Sequence, residues 1–171
     1  MEAKNIVLTG FMGCGKTTVG QLLAKRLNRE FLDADLEIER RQGMPVTEIF
    51  KTQGEPAFRQ MEKDLILDLC RHSRGKIISL GGGAFMQEEI RNACLASSDV
   101  FFLDLGWESW VTRHHLLMET RPILQSRSID ETRRLFESRH PVYALSHHTI
   151  RTDDTSPEEI AEQIIRMAND A

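Results

Sequence analysis

The stretch Gly10-Phe11-Met12-Gly13-Cys14-Gly15-Lys16-Thr17 sets three glycines ahead of a lysine and a hydroxyl. The spacing fits G-x-x-x-x-G-K-[ST], a loop that wraps a phosphate chain in backbone N–H groups. Phosphates carry several negative charges that must be matched when water is stripped away. The glycines let the amides turn inward without Cβ clashes. Lys16 can bring a compact positive charge to the terminal phosphates. The Thr17 hydroxyl can hold Mg²⁺, a hard cation that prefers oxygen ligands. A helix starting here adds the positive end of its dipole. Nucleotide phosphates are therefore expected against Gly13, Cys14, Gly15, Lys16, Thr17 and Thr18. The bland alternative is a chance match in a glycine-containing turn. The flanks argue against it: Ile6-Val7-Leu8 reads as a strand, and Val19, Leu22, Leu23 and Leu27 recur at helical spacing.

The elements that must carry such a loop follow a simple alternation. Strand patterns run Ile6–Thr9, Glu30–Leu32, Lys76–Leu80, Val100–Leu105 and Thr149–Thr152. Helical patterns run Lys16–Leu27, Asp35–Gln42, Val46–Phe50, Ala57–His72, Gln87–Ala96, Glu108–His115, Ile129–Arg139 and Pro157–Met167. Ser156 is the expected N-cap of the last, with Pro157 at its first position and Glu158 and Glu159 behind it. Continuous apolar strands alternating with helices predict an α/β fold with a parallel sheet covered on both faces. Ligands of such sheets sit beyond the carboxyl ends of the strands. There the chain places the glycine loop, Asp33-Ala34-Asp35 and Gly81-Gly82-Gly83. Residues 114–128, containing Arg121 and Pro122, read as a mobile lid over the cleft.

Composition narrows the partners. The chain has 171 residues, 40% hydrophobic and 28% charged, which suits one globular domain over 1–171. A net charge of −4 gives no bulk attraction to nucleic acid or anionic membrane, so anions must be held by locally placed Arg and Lys. The chain shows neither a membrane-length apolar run nor a leader pattern, and three scattered cysteines suit a reducing compartment. A cytoplasmic location and a monomer are the default expectations. Cys14, near Lys16, is read either as a reactive thiol or as a small residue filling a tolerant position, and the second is favoured. Adjacent histidines at 114–115 and 147–148 have no further ligand spaced to help them, which argues against metal.

Taken in order, further segments join the glycine loop: Phe31-Leu32-Asp33-Ala34-Asp35, Gly54-Glu55-Pro56-Ala57-Phe58-Arg59-Gln60-Met61-Glu62 and Ser79-Leu80-Gly81-Gly82-Gly83-Ala84. Arg121-Pro122-Ile123-Leu124 and Arg139-His140-Pro141-Val142-Tyr143 complete the set. Over nearly the whole chain this resembles the shikimate kinase family. The resemblance implies a three-layer P-loop kinase fold with a central five-stranded parallel sheet and a lid, and transfer of the ATP γ-phosphoryl to the 3-hydroxyl of shikimate. It implies carboxylate binding by Arg59 and Arg139, close approach of the ring at Gly82, and hydroxyl binding and orientation by Asp35. It also implies Mg²⁺ at Thr17 and Asp33, and neutralisation of the transferring group by Lys16 and Arg121. Glu62, three positions after Arg59, is placed to fix that arginine.

Residue by residue, plainer readings stay open. Asp33 and Asp35 could cap the helix near Leu36, Gly81–Gly83 could be only a tight turn, and the two arginines could be solvated charges. Asp104 is expected in a turn or a cap. On the adenine side the chain offers Arg113, or His114 on a strict count, with Thr155 and Pro157 across from it. The lid is more apolar than the polar lids usual in the family. The rival functions are another small-molecule P-loop kinase, for gluconate or a nucleoside monophosphate, and a catalytically silent nucleotide-binding regulator.

Overall fold

The structure is a computed structural model that describes residues 2–120 and 128–169, and of 114–120 only the backbone course. Five parallel strands, β1 (Asn5–Thr9), β2 (Phe31–Asp33), β3 (Ile77–Ser79), β4 (Ser98–Asp104) and β5 (His148–Arg151), form one sheet in the order β2-β3-β1-β4-β5. Val7 pairs with Ile78 on one side and Val100 on the other, so β1 runs through the middle. Every residue of β1 and β3 is buried, as their unbroken apolar runs require of strands covered on both faces. The two edge strands are the least buried, with all of β2 only half-buried and the exposed Thr149 and Arg151 on β5.

The flanking helices are α1 (Lys16–Leu27), α2 (Ala34–Gln42), α3 (Val46–Gln53), α4 (Glu55–His72), α5 (Glu88–Ser97), α6 (Trp107–Thr120), α7 (Ile129–Tyr143) and α8 (Pro157–Asn169). Helices α1 and α8 pack together, while α4 meets α2, α3 and α5. On α8 the buried residues Ile160, Ala161 and Ile164 make one stripe, and Ser156 Oγ accepts the Glu159 N–H at 3.2 Å. That is the predicted cap.

Of the boundaries that differ from expectation, three bear on the site. Helix α4 starts at Glu55, two residues early, with Pro56 inside its first turn, where a missing N–H costs nothing. Helix α6 passes His115 and continues to Thr120, because strong helix formers follow and no Pro or Gly precedes Pro122. Residues 114–120 of the expected lid are thus helical, and 121–127, with Arg121, lie outside the described residues. Helix α7 takes Pro141 into its body and closes at Tyr143, where the Ala144 N–H bonds the His140 carbonyl at 3.1 Å. Arg139 and Tyr143 therefore stand one turn apart on the same helix.

Because all five strands point the same way, the segments that follow them gather at one end of the sheet. Central β1 is the point where the order reverses, and its carboxyl end opens into the glycine loop.

Candidate active site

The glycine loop is held from several sides. Gly15 caps α1 at φ +99°, a left-handed conformation that a side chain would strain, although a Cβ there would touch nothing. The Trp110 indole N–H donates to the Met12 carbonyl at 2.9 Å, and Phe11 stands edge-on to both Trp110 and Phe136. Lys16 Nζ donates to the carbonyls of Gly10 (2.7 Å) and Phe11 (3.2 Å), so its charge lies over the loop's own oxygens. Cys14 is buried, its sulfur 3.8 Å from Lys16 Nζ, a place consistent with the space-filling reading.

Asp33 does two things at once. Its Oδ1 accepts the Leu36 N–H at 3.1 Å as the N-cap of α2, and its Oδ2 accepts the Thr17 hydroxyl at 3.3 Å. The cap reading and the cation reading are thus compatible in one carboxylate. Asp35 behaves differently. The residue is half-buried, but its Oδ1 is fully enclosed and has no hydrogen-bond partner. Burial raises its pKa and the nearby Asp33 adds to that, while Lys16 and Arg59 pull the other way.

The turn after β3 gathers three charged groups, one above each glycine. A Cβ on Gly81 would fall 2.5 Å from Asp35 Oδ1, one on Gly82 would fall 3.3 Å from Arg139 Nη1, and one on Gly83 would fall 2.6 Å from both Arg59 Nη1 and Nη2. The turn is more than a tight connection, because its bare backbone is what lets all three side chains close in. The same would-be Cβ of Gly82 lies 3.6 Å from Met12 N, so this pocket abuts the phosphate loop.

Arg59 is fixed by its own helix. Glu62 Oε1 accepts Arg59 Nη1 at 2.9 Å, and the Glu62 side chain is 1% exposed. Gln87, which the sequence marked only as the start of a helix, donates to that same oxygen at 3.0 Å and to the Arg59 carbonyl at 3.2 Å. Burial raises the Glu62 pKa against the pull of Arg59, and its Oε2 is enclosed without a partner. Burial disfavours the Arg59 charge, but Glu62 and Glu55 outweigh it, and the arginine pKa rises.

Beyond the loop, Arg113 and Thr155 line one open groove of about 370 Å³ with Leu105, Ser109 and Ser156, and Pro157 follows at the start of α8. Asp153 braces this groove by accepting the Gly106 N–H at 3.2 Å and the Ser109 hydroxyl; these contacts hold its carboxyl below the usual range. The His114 alternative lies outside the described side chains. Asp104 is no simple cap: its carboxylate meets His140 Nε2 at 3.3 Å. His147 Nδ1 accepts the Val100 N–H at 3.0 Å and His148 stacks on Phe101, so both serve the sheet edge. Among the described residues no three His, Cys, Asp or Glu side chains cluster as metal ligands. A cation here would have to share Thr17 and Asp33 with phosphate oxygens and water, a habit that suits Mg²⁺.

This geometry can hold a phosphate chain beside a small anion with hydroxyls. Comparison with known proteins points the same way. A family model described as shikimate kinase matches residues 12–169. A shikimate kinase of Bacillus pumilus (strain SAFR-032) is 53% identical over 96% of this chain and 89% of its own. One from Bacillus subtilis (strain 168) matches at the same identity and coverage. A solved shikimate kinase from Acinetobacter baumannii, in complex with shikimate, superposes with a TM-score of 0.88 at 35% identity, covering 96% of this chain and 92% of that one.

Proposed function

The chain belongs to the shikimate kinase family, and from that premise we propose how its residues divide the reaction. The enzyme transfers the γ-phosphoryl group of ATP to the 3-hydroxyl of shikimate, a step towards chorismate and the aromatic amino acids. The observation that carries this reading is the convergence of Asp35, Arg59 and Arg139 on Gly81–Gly83 beside a phosphate loop.

Arg59 and Arg139 take the shikimate carboxylate, a planar anion that guanidinium groups can bind bidentately. The ring rests on Gly82. The enclosed oxygen of Asp35 accepts a ring hydroxyl, orients the attacking oxygen and receives its proton. Burial suits it to that task, because it destabilises the carboxylate relative to the protonated acid. The amides from Gly13 to Thr18 cradle the phosphates, while Lys16 and Arg121 balance charge on the transferring group. Lys16 leaves the Gly10 and Phe11 carbonyls for phosphate oxygens, exchanging one set of acceptors for another. Arg113, Thr155 and Pro157 flank the adenine. Thr17 and Asp33 hold Mg²⁺, which when bound screens the phosphate charges. Catalysis is then mostly positioning and electrostatics. The reading includes a cytoplasmic monomer, which light scattering on purified protein and cell fractionation would test.

A coupled assay of ADP release, run with shikimate, gluconate, a nucleoside monophosphate and no acceptor, tests the assignment. Turnover with shikimate alone is expected. Turnover with gluconate or the nucleotide would make the chain a different kinase, and none with any acceptor would make it a silent nucleotide binder.

A further inference from the structure

Tyr143 is the polar group at this junction that the roles above leave unused. It is 1% exposed, and its hydroxyl donates to the Gly82 carbonyl. Helix α7 carries it one turn beyond Arg139, so both side chains rise from one face. The would-be Cβ of Gly82 lies 3.3 Å from Arg139 Nη1 and 3.7 Å from the Tyr143 hydroxyl oxygen, so phenol, guanidinium and turn share one small volume. The ring is fixed without any ligand, tilted against Phe102 at 5.2 Å between centroids. Burial pushes the phenol up to about 12, with the positive charge of the neighbouring Arg139 pulling the other way. The hydroxyl therefore keeps its proton, and its capacity to donate, across the physiological range.

We propose that Tyr143 is a positioning residue: its hydroxyl accepts from Arg139 while donating to the Gly82 carbonyl, tying the carboxylate-binding guanidinium to the turn on which the ring rests. This rests on the assignment of Arg139 to the shikimate carboxylate. An untethered arginine must give up rotamer freedom when the anion arrives; one already tied to the phenol gives up less. The relay runs from guanidinium N–H to phenol oxygen and from phenol O–H to carbonyl, and each bond polarises the next. The substrate should register its loss as weaker binding and the phosphoryl transfer should hardly register it.

Tyr143→Phe removes one oxygen and leaves the ring. It should raise the shikimate KM by ~3- to 10-fold, the effect of one hydrogen bond, with kcat and the ATP KM moving less than ~2-fold. In an Arg139→Ala background, itself raised in shikimate KM, adding Tyr143→Phe should change that KM by less than ~2-fold, because the tie has nothing left to hold. Replacing Tyr143 with 4-aminophenylalanine, which restores a donor to the Gly82 carbonyl but offers Arg139 only a poor acceptor, should recover Tm while leaving the shikimate KM raised, which separates the tie from a variant that merely folds poorly. An unchanged shikimate KM in Tyr143→Phe, parallel rises for both substrates, or an undiminished effect without Arg139 would each overturn the proposal. If Arg139→Ala alone left the shikimate KM unchanged, the carboxylate assignment would fall first and the tie with it.

Discussion

Asp35 and Asp33 are two residues apart and chemically alike, yet they occupy opposite electrostatic situations. Asp33 spends its oxygens on a helix cap and a threonine, whereas Asp35 keeps one enclosed oxygen without a partner. The sequence left both readings open for both residues, because capping depends on the one residue at which a helix begins. Burial raises the Asp35 pKa in the folded state above its unfolded value near ~3.9. Its stabilising contribution is then fully present below the unfolded pKa and is lost as pH rises through the folded one. Asp35→Asn should accordingly cut kcat by at least ~10²-fold while raising Tm at pH 7, and the gain in Tm should vanish near pH 4. Kinetics and thermal melts at the two pH values check this; a variant less stable than the parent at pH 7 would contradict it. Lys16→Ala, which removes the charge meant for the transferring group, should cost turnover on a similar ~10²-fold scale in the same assay.

Among the elements, the turn after β3 shows how bare backbone organises charge. Gly83 has φ −96°, which any residue can adopt, so Gly83→Ala tests space and not backbone strain. The new methyl group would meet the end of the Arg59 side chain at 2.6 Å. Arg59 should swing aside, with a rise of ~10-fold or more in the shikimate KM and a Tm within a few degrees of the parent. Steady-state kinetics with a melt on the same sample decide it. The cap of α8 belongs to the same scale: Ser156→Ala should cost ~1 kcal/mol, read from chemical denaturation, with the shikimate KM unchanged. That helix start was fully legible, because Ser, Pro and two Glu residues are local signals. The ends of α6 and α7 were not. Helix α6 has no local stop before Pro122, and α7 runs through Pro141 to a buried Tyr143, an outcome of packing that a helical periodicity ending at Arg139 does not contain.

For the molecule as a whole, the alternation of strands and helices announced a covered parallel sheet, but the order β2-β3-β1-β4-β5 is a fact about contacts between distant segments. Only the apolar centre of β1, Ile6-Val7-Leu8, and the more polar edge strands hinted at who sits in the middle. Groups aimed at a ligand remain unsatisfied until it arrives, and binding to the folded state alone must stabilise it. Shikimate at ~100 times its Kd should add ~2.7 kcal/mol, raising Tm by roughly 5–10 °C for a chain of this size, while gluconate should give no shift. Differential scanning fluorimetry with both compounds checks this, and an equal response to gluconate would count against the acceptor assignment. The three glycines beneath Asp35, Arg139 and Arg59 also govern how the protein can evolve under a drug. An inhibitor leaning on that ledge presses where an added methyl group would crowd the same charged side chains that hold the substrate, so escape there should carry its own cost in shikimate affinity.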